Sequence, residues 1–222
     1  TPILPQRVLM SAALGMAAFI AAYIVLTSVG RQWGILSFLV MAPVVIAAVG
    51  VAVALLVAAA KWTLIGRYEA RVLTLWNYRV WLSELVNSLW ETTTYPFLSR
   101  LLMGTPMMAP LLRLMGARIG DGVFIDSIEI TEFDLVEIGD WVAVNFGATV
   151  QTHLFEDRVM KMSGLRVGNG ATIGPMAVVL YDSEMAERSC LDGLSLLMKG
   201  EMLPTRTRWA GSPAQMVPYV GR

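Results

Sequence analysis

The feature that constrains this chain most is an aliphatic residue that recurs at every sixth position of its second half. One run is unbroken and two shorter runs precede it: Val167, Ile173, Val179, Met185, Leu191, Leu197 and Leu203, after Ile138, Val144 and Val150, and Ile119 and Ile125. Four positions after the aliphatic residue comes a small one: Ala171, Ala177, Ser183, Ser189 and Ser195. Ordinary alternating strands have a period of two and do not keep a period of six over so long a run.

A period of six is typical of a triangular coil in which each side is a short strand and each corner is a turn. The aliphatic residue points inward and stacks on its equivalents one coil above and below. The small residue fits near a corner, where space is short, and the turn residues adopt backbone angles that glycine, asparagine and aspartate tolerate. We therefore predict that residues 116–222 form an all-β domain, a left-handed parallel β-helix of hexapeptide repeats.

Two breaks interrupt the repeat. The step from Ile125 to Ile138 is 13, which means that one residue is inserted, and the step from Val150 to Val167 is 17. Residues 151–166 abandon the pattern, so we expect them to leave the coil as a loop. Loops on a rigid scaffold often carry functional residues.

The first quarter of the chain contains two charge-free stretches, residues 8–30 and 32–60. Each exceeds the roughly 20 apolar residues that cross a bilayer. Gly30–Gly34 suits a tight turn between them, so residues 1–61 are predicted to form a transmembrane α-helical hairpin. The alternative is a pair of core helices buried inside a soluble protein. Only 15% of the residues are charged, fewer than is usual for a soluble domain, and the rest of the chain is too short to enclose two such helices.

Basic residues suggest the orientation. The turn between the spans holds only Arg31, whereas four basic residues follow the second span: Lys61, Arg67, Arg71 and Arg79. We therefore predict an integral membrane protein with the β-helix in the cytoplasm, and the single cysteine, Cys190, fits a reducing compartment. The two apolar spans make membrane lipid an expected partner. The net charge is zero and there is no basic patch, so nucleic acid is not expected.

Residues 62–115 are rich in aromatic residues interleaved with arginine. Leu73, Trp76, Val80 and Glu84 recur at helical spacing, so we predict interfacial or linker helices at headgroup level. The alternative is that the aromatic rings pack against the coil. A short apolar helix, Leu111–Met115, is expected to lead into the repeats.

His153, the only histidine, begins the second break. Here the sequence resembles the hexapeptide-repeat acyltransferases, in which a histidine that leaves the coil is the general base, a role that suits imidazole near neutral pH. The resemblance implies that His153 takes a proton from the acceptor. Glu156 is a candidate to orient it, although Glu156 and Asp157 also suit a solvated loop, and Asn145 is a candidate to touch the acceptor. Glu132, in the other break, is no stronger a candidate.

Two motifs resemble the thiol-donor site of the same class. Trp209-Ala210-Gly211-Ser212-Pro213-Ala214 looks like the G-x-P-A turn beside the pantetheine arm of coenzyme A, although such a turn can also simply end the coil. Lys199 looks like the lysine of the T-K-D-I-P motif. The implied donor-binding residues are Lys199, Trp209, Gly211, Ser212 and Pro213, the cofactor is a phosphopantetheine-linked thioester on a carrier protein or coenzyme A, and no metal is expected.

A closer resemblance covers about residues 60–217. It is carried by these stretches: Gly104-Thr105-Pro106, Leu114-Met115-Gly116-Ala117-Arg118-Ile119-Gly120, Val150-Gln151-Thr152-His153, Met198-Lys199-Gly200-Glu201 and Arg208-Trp209-Ala210-Gly211-Ser212-Pro213-Ala214. These stretches are similar to the C-terminal region of membrane-bound nonribosomal-peptide-synthetase-like enzymes of the ε-poly-L-lysine synthetase type. The chain departs from them in having one coil, two spans and no adenylation or carrier motif. Its start, Thr1-Pro2-Ile3-Leu4-Pro5, is typical of a linker, so a fragment of a longer chain, or a processed chain, is expected.

The function implied is therefore a membrane-anchored acyltransferase that forms an amide bond between a carrier-bound aminoacyl thioester and an amine. Two alternatives remain: a coenzyme A-dependent acetyltransferase of a sugar or amine, and a non-catalytic scaffold coil. The expected partners are carrier and adenylation domains of a parent chain and a neighbouring coil, in tandem or from a second copy, because one coil offers only half a cleft.

Overall fold

A computed structural model describes residues 3–218, so Thr1 and Pro2 of the predicted linker lie outside it. The chain divides into two compact units. The first contains the N-terminal helices up to Ile65 together with Trp81–Leu101, and the second contains Gly66–Val80 and the chain from Leu102 onward. Residues 62–115 are thus shared between both units.

The first unit is built on a helical hairpin. Helix α1 (Ile3–Leu64) is broken only at Gly34, which has φ 83° and ψ 175°. A Cβ built on Gly30 would lie 3.5 Å from the Cβ of Phe38, whereas eight residues of a continuous helix rise about 12 Å. The chain therefore folds back at Gly34, and the turn predicted over Gly30–Gly34 is confined to the one residue whose backbone needs a glycine.

Both arms of the hairpin are apolar. The segment Ala12–Leu64 is long and apolar enough to cross a membrane by length and composition, and each arm of about 30 residues is about 45 Å long. Trp33, Ile35 and Leu36 beside the bend are all more than 70% exposed. Water is a poor environment for such a surface, so the hairpin has the character of a membrane anchor.

A π-helix packs against both arms within the first unit. After α2 (Tyr78–Leu89) come the π-helix (Trp90–Ser99) and a short α3 (Arg100–Leu102). A Cβ on Gly50 would lie 2.5 Å from the carbonyl oxygen of Phe97, and one on Gly15 would lie 3.9 Å from that of Thr92. Gly50 therefore has no room for a side chain.

The second unit is built from a helix and seventeen short strands. Helix α4 (Met108–Met115) ends at Gly116, which has φ 113°. The strands are β1 (Arg71–Thr74), β2 (Arg118–Ile119), β3 (Phe124–Ile125), β4 (Val136–Ile138), β5 (Ala143–Val144), β6 (Thr149–Gln151), β7 (His153–Glu156), β8 (Val159–Met162), β9 (Leu165–Val167), β10 (Thr172–Ile173), β11 (Val178–Leu180), β12 (Glu184–Met185), β13 (Cys190–Leu191), β14 (Leu196–Leu197), β15 (Met202–Leu203), β16 (Arg208–Ala210) and β17 (Gln215–Val217).

Three of the sheets run along the coil. Their strand orders are β2-β4-β9-β12-β15, β3-β5-β10-β13-β16-β17 and β6-β11-β14, with every pair parallel except β16 and β17. In the regular part the partners lie 18 residues apart, as in Ile173 with Leu191 and Val179 with Leu197. Each coil therefore spans three hexapeptides in parallel register, as the period predicts, while the left-handed β-helix stays a prediction.

The core lies inside this coil. The aliphatic residues of the period, from Ile119 to Leu203, are between 0% and 7% exposed, and the small residues four positions later are also buried. Packing of stacked apolar side chains against their equivalents is the main stabilisation that such short strands have.

Two elements before the coil differ from the prediction. Residues 71–74 form a strand, not a helix, although Leu73 and Trp76 have helical spacing, because they pair with a distant strand of the second break. Helix α4 begins at Met108 instead of Leu111. Pro110 lies in its first turn, where a missing N–H costs no helical hydrogen bond.

The two breaks have a defined structure. The second was predicted to be a loop, but β7 and β8 form an antiparallel hairpin, and β1 adds to β8 as a third strand. The first contains a 3-10 helix, Phe133–Leu135, which follows Glu132 in a left-handed conformation with φ 38°. The breaks are therefore ordered pieces attached to the coil.

Candidate active site

The two breaks lie next to each other at one corner of the coil. Ile130 forms a parallel bridge with Val150. The hydroxyls of Thr131 and Thr152 are 3.2 Å apart, and the backbone N–H of Thr152 donates to the Thr131 hydroxyl over 3.3 Å. The residues that follow, one from each break, are Glu132 and His153.

Glu132 accepts a hydrogen bond from the imidazole of His153. The distance from Nδ1 of His153 to Oε2 of Glu132 is 2.7 Å, and the two residues are 7% and 0% exposed. The hydroxyl of Thr152 also lies 2.7 Å from Oε2, and 2.9 Å from the Thr131 carbonyl oxygen. Since a carboxylate only accepts, Nδ1 of a neutral imidazole carries the proton, and Nε2 keeps the lone pair that a general base needs.

The expected partner of the histidine is thereby corrected from Glu156 to Glu132. Successive side chains of a strand point to opposite faces, so Glu156 and His153, three residues apart on β7, face opposite ways. Both oxygens of Glu156 lie 2.7 Å from Nζ of Lys199, and Oε2 lies 3.1 Å from Nζ of Lys161. Glu156 thus ties the hairpin to the coil.

This tie shifts the pKa of both partners. Hydrogen bonds from Lys199 and then Lys161 lower the pKa of Glu156 below its ordinary value. The hydrogen bond to Glu156 raises the pKa of Lys199. Both side chains are about one-third exposed, so solvent screens the pair.

A sequence signal for Glu132 exists. Strand partners in the regular coil lie 18 residues apart, whereas Ile130 and Val150 at the breaks lie 20 residues apart. Counting back 21 residues from His153 reaches Glu132. Without this offset the sequence indicates Glu132 no more strongly than the acidic residues of the second break.

Asn145 lies at a different corner. It follows β5, whereas His153 begins after β6, the next side of the coil. Nδ2 of Asn145 donates to the Ile173 carbonyl oxygen one coil above over 2.7 Å. Its amide nitrogen therefore joins two coils, and the predicted contact with an acceptor stays a prediction.

Lys199 lies at the same corner as His153. It follows β14, which is in one sheet with β6 and β11, and its Nζ is 6.0 Å from the ring of Tyr181 one coil below. The corner after this sheet thus carries residues from four coils in sequence order: Glu132, His153, Tyr181 and Lys199.

The predicted donor turn closes the last coil. Nε1 of Trp209 donates to the Thr207 hydroxyl over 3.0 Å. Gly211 has φ 104°, its N–H donates to the Ser195 hydroxyl over 3.0 Å, and the Ser212–Pro213 peptide is cis. The turn has a structural role whether or not it binds a donor. Within residues 3–218 no group of three or more histidine, cysteine or acidic residues is arranged to hold a metal.

Comparison with known proteins gives one curated relative of high similarity. The chain is 45% identical over 171 residues, 77% of its length, to the Delta-poly-L-ornithine synthetase of Acinetobacter baumannii (strain AB307-0294). It covers only 13% of that protein. No protein-family model matches the chain.

The solved structures that the chain matches include acetyltransferases of low sequence identity. One from Vibrio cholerae is 14% identical, with a TM-score of 0.42 over 52% of this chain and 81% of that one. A galactoside acetyltransferase in complex with coenzyme A is 17% identical, with a TM-score of 0.43 over 51% and 70%. The fold assignment therefore rests on the strand register of this chain.

Proposed function

We propose that the chain is an acyltransferase-type domain that forms an amide bond between a carrier-bound aminoacyl thioester and an amine, with His153 as the general base. The observation that carries the proposal is the 2.7 Å hydrogen bond between His153 and the fully buried Glu132. A base, and behind it a carboxylate that orients it, is the arrangement that activates a nucleophile in acyl transfer. The similarity to a protein named for the synthesis of a poly-amino acid supports this choice of substrates.

The reaction needs one proton shuttle. The acceptor nitrogen attacks the thioester carbonyl carbon while Nε2 of His153 takes a proton from it. The C–S bond then breaks, and the leaving sulfur receives that proton from the imidazolium, so the products are an amide and a free thiol. Glu132 fixes the tautomer of His153 and stabilises the positive charge on the protonated ring. Attack on a thioester with this general base needs no metal.

The donor lies, in this proposal, at the end of the coil. Lys199 shares a corner with His153, and the Trp209–Pro213 turn closes the coil above it. Carrier-bound phosphopantetheine and coenzyme A present the same thiol arm, so both fit the proposal chemically. The adenylation and carrier domains would come from the same longer polypeptide, of the ε-poly-L-lysine synthetase type, or from another chain, and a neighbouring coil would complete the cleft.

The apolar hairpin is proposed to span a membrane, with the left-handed coil in the cytoplasm. Its length and composition support insertion, and the basic residues after the second arm support this orientation. In a Cys190→Ser background, Gln32→Cys should react with an impermeant thiol reagent from outside intact cells, and Arg206→Cys should not. The opposite labelling would overturn the orientation.

The test of the function uses the whole chain in lipid nanodiscs. The same aminoacyl group is supplied on phosphopantetheine of a carrier protein or on coenzyme A, with a free amine, and amide formation is followed by mass spectrometry. We expect product from the carrier donor, and a loss of at least about a hundredfold in His153→Asn. The control variant is Glu129→Gln, at an exposed residue close in sequence to Glu132, and it should not slow amide formation. Equal rates with and without His153 would contradict the proposal and favour the scaffold alternative, and product from coenzyme A alone would favour the acetyltransferase.

A further inference from the structure

The segment 66–75, which we name the strap, belongs to neither the regular coil nor its breaks. It contains β1 and lies in the same compact unit as the coil. Its backbone forms hydrogen bonds with both breaks, and so with both stretches that carry the His153–Glu132 pair.

The first contact is the ladder to β8. Arg71 pairs with Met162, and Thr74 with Val159. Leu75 N–H donates to the Arg158 carbonyl oxygen over 3.2 Å. Hydrogen-bonded pairs alternate along an antiparallel ladder, so Leu73 with Met160 is also a hydrogen-bonded pair.

The same alternation fixes the other side of β8. Ser163 N–H donates to the Thr152 carbonyl oxygen over 3.1 Å, so the next pair, His153 with Met162, is not hydrogen-bonded and its side chains lie close together. The imidazole therefore packs beside a residue that the strap holds directly. A hairpin of two strands is only marginally stable in water, and a third strand stabilises it.

The second contact reaches the first break. Tyr68 is 7% exposed, and its backbone N–H donates to Oδ2 of Asp134 over 3.2 Å. Asp134 lies in the 3-10 helix that follows Glu132 directly. One short segment thus holds the base through β8 and the carboxylate through this helix.

We infer that the strap is a positioning element for His153: by joining both breaks, it holds Nδ1 of the histidine against Glu132. The geometric part of this inference stands alone, and its effect on rate rests on the proposed function. The consequence is that the coil does not carry a complete site, because the site needs a segment that lies before the coil in the sequence.

A matched pair of proline variants in the full chain tests the inference. Leu73→Pro removes an N–H that bonds to β8, whereas Val72→Pro removes one that points away from β8, at a residue 67% exposed. The chain has one histidine, so protein labelled with ¹⁵N-histidine gives a single pair of imidazole nitrogen signals, which report the tautomer.

We expect Val72→Pro to keep the signals of a neutral ring protonated on Nδ1 and the original turnover. Leu73→Pro should shift both signals toward the average of two tautomers and lower turnover at least about tenfold, since small displacements of a catalytic group have large effects. Unfolding of the coil, followed by circular dichroism, should be unchanged. If Leu73→Pro does not fold, Leu75→Pro tests the same ladder at its end.

The outcomes separate the two claims. Unchanged imidazole signals in a folded Leu73→Pro or Leu75→Pro protein would overturn the positioning role of the strap. Shifted signals with unchanged turnover would confirm the positioning role and overturn His153 as the base. An equal effect of Val72→Pro would show that the ladder register is not the cause, and would also overturn the inference.

Discussion

The regular coils and the two breaks are neighbouring parts of one chain, but they bury different kinds of side chain. Between Val167 and Leu203 the inward aliphatic residues are 0–1% exposed. In the breaks the buried residues include Glu132, Thr152 and His153, which are polar and joined by hydrogen bonds. A strict six-residue repeat places an aliphatic or small residue at each inward position, so a buried carboxylate can enter only where the repeat is interrupted. The repeat thus supplies the fold, and its interruptions hold the residues of the proposed site.

The largest expected effect is at an inward position of the regular part. Ile173→Asp would bury a carboxylate between apolar neighbours in the coils on either side, at a cost of several kcal/mol, about the order of a domain's net stability. We expect loss of the folded coil, measured by circular dichroism. Half-buried Thr172 points outward from the same strand, so Thr172→Asp is the control. An unchanged melting temperature in Ile173→Asp would mean that the inward face is assigned wrongly.

The next effect concerns Glu132, the buried partner of the proposed base His153. Glu132→Gln keeps the shape of the side chain but removes its charge, so it should slow amide formation at least about tenfold while Glu129→Gln does not. In a His153→Asn background, the loss of Glu132 should cost little further rate, because Glu132 acts through the histidine. Independent, multiplicative losses would show that Glu132 has another role.

The smallest effect concerns the tie between Glu156 and Lys199. The pKa of Glu156 is lowered, so its contribution is complete above the ordinary glutamate pKa and is lost as the pH falls through the lowered value. The pKa of Lys199 is raised, so its contribution is lost only as the pH rises through that higher value.

Hydrogen exchange of the backbone amides in the β7–β8 hairpin measures how much the Glu156–Lys199 ion pair stabilises that hairpin. At neutral pH, Lys199→Met should exchange faster than the unaltered chain on β7 and β8 but not on β10. The difference should disappear in acid once Glu156 is protonated. Exposed Arg206 provides the control variant Arg206→Met. A difference that persists unchanged in acid would contradict the assignment of the tie to this ion pair.

The sequence predicted the regular part better than the breaks, for a physical reason. Each inward residue from Val167 onward has its partner 18 residues away, which is three periods of six, so the pattern predicts the contacts directly. The pairing of Glu132 with His153 is hidden because the two residues lie 21 positions apart, instead of the regular 18. The pairing of Leu73 with Met160 is hidden because 87 residues separate the strands and no period relates them.

The burial of the site also differs from the sequence-based expectation of a loop. In an exposed loop, replacement of His153 by alanine would have no effect on folding. Since it is 7% exposed and bonded to a fully buried carboxylate, His153→Ala would leave that carboxylate without its imidazole partner and destabilise the corner. Asparagine keeps an N–H close to the position of Nδ1 and removes the base, so His153→Asn is the cleaner variant.

The division of roles between coils and breaks is tested most directly by measuring rate and stability together in two variants. Leu191 is a fully buried residue of the regular part, and Leu191→Ala should lower the free energy of unfolding by about 2–5 kcal/mol while the folded protein keeps its rate of amide formation within about threefold. His153→Asn should do the reverse, with a rate lowered at least about a hundredfold and an unchanged unfolding transition. A His153→Asn protein that forms product within a few-fold of the original rate would contradict the account.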